Sequence, residues 1–242
     1  MVAHTADGPV KRIAISQSNY IPWKGYFHII GSVDEFVLYD EVQFTRRDWR
    51  NRNVIKTDKG PAWLSIPVQV KGRYSQRIDE TMVADPAWAM SHWGKIKQAY
   101  STAPYFDALM TPFARYYGSV TRQRVSDINR DLIEMVMDMV GIHTRLRWST
   151  EFPMTTTDRT DRLVSICEQA GADEYWTGPA AQAYLDEPRF ERAGVAVHYV
   201  DYSIFPEYGQ LHGAFQHGVS VLDLLFNAGS DVSRLLGLGG GG

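Results

Sequence analysis

Residues 12–27 read RIAISQSNYIPWKGYF, and how this stretch divides into strand, loop and helix decides what kind of sheet the chain can build. RIAIS (12–16) has the length and apolar character of a buried strand. GYFHIIGSV (25–33) carries apolar residues at helical spacing, and Pro22 stands just ahead of it, where a missing N–H does a helix no harm. EFVLYDEVQF (35–44) then returns to a β-branched and aromatic pattern. Strand, loop, helix and strand follow one another over the span of a βαβ unit, which implies parallel strands. The loop after RIAIS therefore leaves the carboxyl end of the first strand, where α/β sheets place their ligands. Its aromatic residues read as pocket walls. Gln17, Tyr20, Lys24 and Tyr26 are the candidate substrate-binding residues of this stretch, and Asp40 and Gln43 close the second strand beside them.

Further along, TDKGPAWLSIPVQVKG (57–72) reads as a hairpin bounded by two Lys-Gly pairs, with Pro67 marking an edge strand. Three helical patterns follow: DPAWAMSHWGKIKQAY from an Asp-Pro cap, DALMTPFARYYGSV, and VSDINRDLIEMVMDMVGI with Leu132, Met135, Val136 and Met139 on one face. The second half resumes the alternation, with strands TRLRWS, EYWTG and VAVHYVDY separated by helices DRLVSICEQA and AAQAYLDEPRFERA. SVLDLLFNAG is a final amphipathic helix. The expected fold is α/β, a Rossmann-like, mostly parallel sheet flanked by helices, with a helical insertion at about residues 80–140 and a small β-hairpin. Residues 12–236 are expected to form one domain, between a disordered tail at 1–11 and a Gly-rich tail at 237–242.

The chain has 242 residues, 44% of them hydrophobic, and a net charge of −3. It can bury a core without staples, and its balance of charge does not favour a nucleic-acid duplex or a membrane surface as partner. Its single cysteine, Cys167, excludes an intrachain disulfide and fits a reducing, cytoplasmic setting. The apolar neighbours of Cys167 fit a buried hydrophobe at least as well as a nucleophile. No apolar run is long enough to span a bilayer. No H-x-x-H, C-x-x-C, P-loop or G-x-S-x-G pattern occurs, so no metal and no cofactor is expected.

Residues 46–77 hold nine Lys/Arg against two Asp, a local charge of +7 in an acidic chain. Such a segment suits a phosphate-bearing small molecule or an acidic carrier protein, or it is a solvated face paired with the rest of the surface. Arg50 and Arg52 share one face if extended and are its candidate binding residues. Thr177 and Gly178 end a strand and enter a helix through Ala180, an arrangement that holds an anion or simply caps the helix. His92, on a Trp-rich helix, is the histidine best suited to accept a proton near neutrality; Asp40 is the alternative base. Each also has a structural reading: His92 bonded to backbone, Asp40 a strand-end cap.

QSNYIPWKGYF (17–27), VDEFVLYDEVQF (33–44), RNRN (50–53), HWGKI followed by AYSTAPYF, DRLVSIC, GADEYWTGPAAQAYLD and HGVSVLDLLFNAG, in this order, resemble the WbqC-like protein family over roughly residues 13–236. The resemblance implies a biosynthetic protein acting on an activated sugar, acyl or aminoacyl intermediate, of the kind found in O-antigen and specialised-metabolite clusters. The expected activity is a transferase that moves an acyl or aminoacyl group from a carrier- or nucleotide-linked donor onto an amine of a sugar or small metabolite. A nucleotidyltransferase is the second reading: PWKGY occupies the position of the HIGH-type turn, with Tyr26 where that turn carries His. A non-catalytic sugar- or ligand-binding protein of such a pathway is the third.

Overall fold

The computed structural model describes residues 9–238; the sequence-based expectations for the two tails fall mostly on 1–8 and 239–242, outside the described residues. β1 (Arg12–Ser16) is buried on both sides at Ile13, Ala14 and Ile15, as a central strand of a covered parallel sheet must be. α1 (Lys24–Gly31) carries the chain back, and β2 (Glu35–Leu38) pairs parallel to β1. β5 (Arg145–Trp148) pairs parallel to β2, while β6 (Glu174–Thr177) and β7 (Ala196–Tyr199) extend the sheet from the other side of β1. The order is β5-β2-β1-β6-β7, all parallel, the doubly wound arrangement in which the chain departs from β1 in both directions.

Successive side chains point to opposite faces, so two cores form. Ala14, Phe36 and Leu38 pack with α1, α2 (Trp88–Tyr100), α3 (Phe106–Ser119), α4 (Val125–Val140) and α7 (Val221–Ala228). Ile13, Ile15 and Val37 pack with α5 (Arg159–Ala170) and α6 (Glu187–Arg192) around Cys167, whose thiol is pushed up by burial. Asp158 caps α5, accepting from the backbone N–H of Thr160 (2.9 Å) and Asp161 (3.0 Å). A short helix, α8 (Val232–Leu235), follows α7.

Two expectations are corrected. The hairpin pairs β3 (Arg52–Thr57) with β4 (Gly60–Ser65), so its first arm is RNVIKT and its second ends before Ile66. Pro67, which has no N–H to give a ladder, lies beyond the strand rather than on its edge. The helix expected over residues 180–193 is broken into a 3-10 turn, Pro179–Ala183, and α6. Pro188 fits only the first turn of a helix, which makes α6 start anew at Glu187. No helix is long and apolar enough to cross a membrane among the described residues.

Candidate functional site

A cavity of about 670 Å³ opens at the carboxyl ends of β1 and β6, the point where the strand order reverses. Gln17 and Asn19 enter it from the loop after β1, Tyr39 and Gln43 from the loop after β2, and Thr177 and Gly178 from the end of β6. Trp23, Tyr26, Tyr175, Trp176, Tyr184 and Tyr202 supply aromatic walls. Arg159 and Arg162, in the first turn of α5, supply the positive charge. The Arg162 guanidinium lies 5.3 Å from the centre of the Tyr39 ring, and its Nε has no hydrogen-bond partner among the described residues. None of the lining residues is a carboxylate, histidine, cysteine or lysine.

The loop that walls the cavity is held in a strained shape. Ile21, β-branched and buried, has φ +35°, a conformation that costs about 1–3 kcal/mol unless its surroundings enforce it. Here they do. Asn53 Nδ2 donates to the carbonyls of Tyr20 (3.0 Å) and Ile21 (2.8 Å), and Ser220 Oγ donates to Ile21 as well (2.8 Å). The turn aims Tyr20 and Ile21 into the core while Gln17, Asn19, Trp23 and Tyr26 remain at the cavity. Gly25 completes the arrangement, because the Trp23 indole lies across it: a Cβ there would come within 2.3 Å of that ring.

Tyr20 and His92 are brought together, but away from the cavity. The Ser65 carbonyl can only accept, so His92 Nε2 must carry the proton and donate to it (3.2 Å). Nδ1 is then the acceptor for the Tyr20 hydroxyl (2.8 Å), which in turn accepts from Tyr117 (2.7 Å). All three side chains are buried, and burial lowers His92 to about 4. Of the two readings of His92, proton acceptor or histidine bonded to backbone, the geometry fits the second: the imidazole is neutral, both nitrogens are engaged, and the ring closes the interior rather than the cavity.

Asp40 is likewise internal. Its carboxylate accepts from Ser18 N–H (2.8 Å), Ser18 Oγ (2.6 Å) and Ser126 Oγ (2.6 Å), tying the two strand-end loops to α4. Burial raises its carboxyl, and these hydrogen bonds oppose the rise. It borders a smaller cavity of about 240 Å³ with Glu41, Asp79, Arg124 and Asp127, separate from the aromatic one. Convergence of Gln17, Tyr20, Tyr26, Asp40 and Gln43 on one cleft thus holds for Gln17, Tyr26 and Gln43 and fails for Tyr20 and Asp40.

The basic segment does not rim the cavity either, since none of its Lys or Arg lines it. Arg50 donates to the Asn19 side chain and lies 3.7 Å from Asp48, so it orients a cavity residue from behind. Arg52 turns away, its guanidinium 4.0 Å from the centre of the Trp63 ring and bonded to the Arg47 carbonyl. Lys24 is buried beneath the cavity wall rather than in it. The charge at the cavity comes instead from Arg159 and Arg162, which sequence reading missed; the signal available was DRTDR opening a helix at the carboxyl side of the sheet. No group of three or more His, Cys, Asp or Glu placed to hold a metal ion occurs among the described residues.

The model of the WbqC-like protein family matches residues 17–234. A Mycobacterium tuberculosis protein described as uncharacterized, Rv1507c, is 44% identical over 227 residues, covering 94% of this chain and 98% of the relative. No solved structure matches.

Proposed function

The chain belongs to the WbqC-like protein family, and from that premise we propose that it holds an anionic, ring-bearing biosynthetic intermediate, such as a nucleotide-linked sugar or acyl group, in the cavity between β1 and β6. The observation that carries this reading is the lining: aromatic walls and two arginines around about 670 Å³ at the switch point of a parallel sheet. That volume suits a drug-sized ligand, and guanidinium groups suit its phosphate or carboxylate. Gln17, Tyr26, Gln43, Thr177 and Gly178 are proposed to contact the ring and its hydroxyls, with Arg159 and Arg162 on the anion. Arg50 acts through Asn19.

Because the lining holds no group that titrates near neutrality, the geometry favours binding over proton transfer by the protein. A second reading, transfer of an acyl or aminoacyl group to an amine, is supported by the amide and hydroxyl side chains Gln17, Gln43 and Thr177 that meet at the cavity. They would orient an already activated donor and an amine that arrives unprotonated; the C–N bond forms as the acyl bond to the carrier or nucleotide breaks, the leaving group departs with that electron pair and the amine proton passes to solvent, so that proximity supplies the rate. His92 and Asp40 take no part.

Calorimetric titration with UMP, a uridine diphosphate sugar, ATP, coenzyme A and the corresponding free sugar tests the binding. The anionic ring compounds are expected to bind and the free sugar to bind at least ~10-fold more weakly, the size of one good charge-assisted contact. Equal affinity for charged and uncharged forms would contradict the reading. Mass spectrometry for an acylated amine product separates the second reading from the first.

A further inference from the structure

Two buried lysines reach into the same segment, residues 205–219, and they are held in opposite ways. Lys56 Nζ donates to Gln210 Oε1 (3.0 Å) and to the Gly213 carbonyl (3.0 Å). Lys24 Nζ has no hydrogen-bond partner among the described residues and sits instead among three rings, 5.1 Å from the centre of Phe215, 5.2 Å from Phe205 and 5.3 Å from Tyr208. Lys24 is only 3% exposed. All three rings belong to the segment, so covering this amine is the segment's own doing.

The segment contains no helix or strand, and among the described residues none of 206–218 makes a backbone-to-backbone hydrogen bond; its ends meet the 3-10 turn Tyr202–Ile204 and the Trp23–Ser220 bridge. Side chains alone hold it: Lys56 and Lys24, His212 on the Ala99 carbonyl (2.7 Å), and the Tyr208 hydroxyl on Asp223 (2.9 Å). Such a stretch opens at far lower free energy than a sheet. It also braces the cavity. Phe205 and its neighbour Tyr202 stand edge-on to the Trp23 indole, at 6.0 and 4.8 Å, and both Trp23 and Tyr202 line the cavity.

We propose that residues 205–219 are a strap that opens as a unit from the Trp23 wall of the cavity, and that Lys24 is its latch, exposed to water when the strap is open and sealed among Phe205, Tyr208 and Phe215 when it is closed. The proposal is independent of which ligand the cavity takes. Burial lowers Lys24 from 10.5 to about 8, against the opposing pull of Asp223 on α7 and Glu207 on the strap. The remaining titratable groups facing it are the Tyr208 phenol, pushed up by burial, and His217, pushed below 6.5 by burial and by Lys24 itself. Opening returns the amine to its ordinary value, so between pH of about 8 and about 10.5 the open state takes up a proton that the closed state lacks. Rising pH in that window therefore favours closure, by up to ~10-fold per pH unit. Below pH 8 the amine is charged in both states and adds no slope.

Pulse-labelling hydrogen exchange on the full chain, corrected for intrinsic rates, tests this between pH 7 and 9.5. Strap peptides are expected to exchange by an opening much easier than that of β1 and β6, with an opening constant that is flat to pH 8 and then falls about 10-fold by pH 9.5. Lys24→Met keeps the apolar stem and removes the proton, so its strap should open less at pH 7 and show no such slope. A wild-type strap without the slope, a strap that exchanges only with the sheet, or a slope retained in Lys24→Met overturns the proposal. The wild-type profile alone suffices if the variant does not fold.

Discussion

The cavity between β1 and β6 and the buried chain Tyr117–Tyr20–His92–Ser65 meet at the loop after β1, which gives Gln17 and Asn19 to the one and Tyr20 to the other, yet they are opposites. In the buried chain every donor finds an acceptor, in one forced direction, and burial keeps the imidazole uncharged. At the cavity, Gln17, Thr177, Arg159 and Arg162 line an open hollow, and the Arg162 Nε, itself buried, has no partner among the described residues. A fully satisfied polar network fixes a structure, whereas unsatisfied groups around an aromatic hollow are available to a ligand. The polar residues of most interest in the sequence, His92 and Asp40, fall on the structural side of that division.

The largest expected effect lies in the buried chain. His92 is lowered from 6.5 to about 4, so in that window the unfolded chain binds a proton that the folded chain does not. Stability is then complete above pH 6.5 and falls by up to about 3 kcal/mol as pH drops to 4. Denaturant midpoints measured from pH 7 to 4 should show this slope, and His92→Gln should abolish the His92 share of it. Next comes the latch on the strained turn. Asn53→Ala removes the donor to the Tyr20 carbonyl and one of the two donors to Ile21, which keeps Ser220, and should cost about 2 kcal/mol in urea unfolding. A smaller cost, on the order of 1 kcal/mol, is expected for Cys167→Ala, with ligand binding unchanged, because the thiol only fills the second core. Gly25→Ala should act most on the cavity: displacing the Trp23 indole should weaken binding severalfold in the same titration.

The parallel sheet was legible because RIAIS, GYFHIIGSV and EFVLYDEVQF carry distinct periods, and a strand-end loop has a known place in such folds. Gln17, Tyr26 and Gln43, read from the strand-end loops, and Thr177 and Gly178, read from a strand entering a helix, line the cavity. The strand-end rule failed at Tyr20 because nothing local announces that Ile21 takes a positive φ; the turn is imposed by Asn53 and Ser220, distant in sequence. At Asp40 it failed because two serines, one of them on α4, draw the carboxylate inward. The basic segment stands out in the sequence by its density of charge. Yet density says nothing of direction, and β3 sends Arg52 onto Trp63 while two arginines on α5 meet the cavity. The WbqC-like motifs identified the family correctly without distinguishing scaffold from site.

The division between the two regions is tested most directly by one calorimetric comparison, made with the tightest binder among the anionic ring compounds. Arg162→Ala is expected to lower affinity about 10-fold or more, increasingly at low salt, and to leave the melting temperature nearly unchanged. Tyr117→Phe, which removes the hydroxyl that donates to Tyr20, is expected to lower the melting temperature and leave the affinity intact. Affinity lost in Tyr117→Phe but retained in Arg162→Ala would place the ligand in the buried chain and contradict the account.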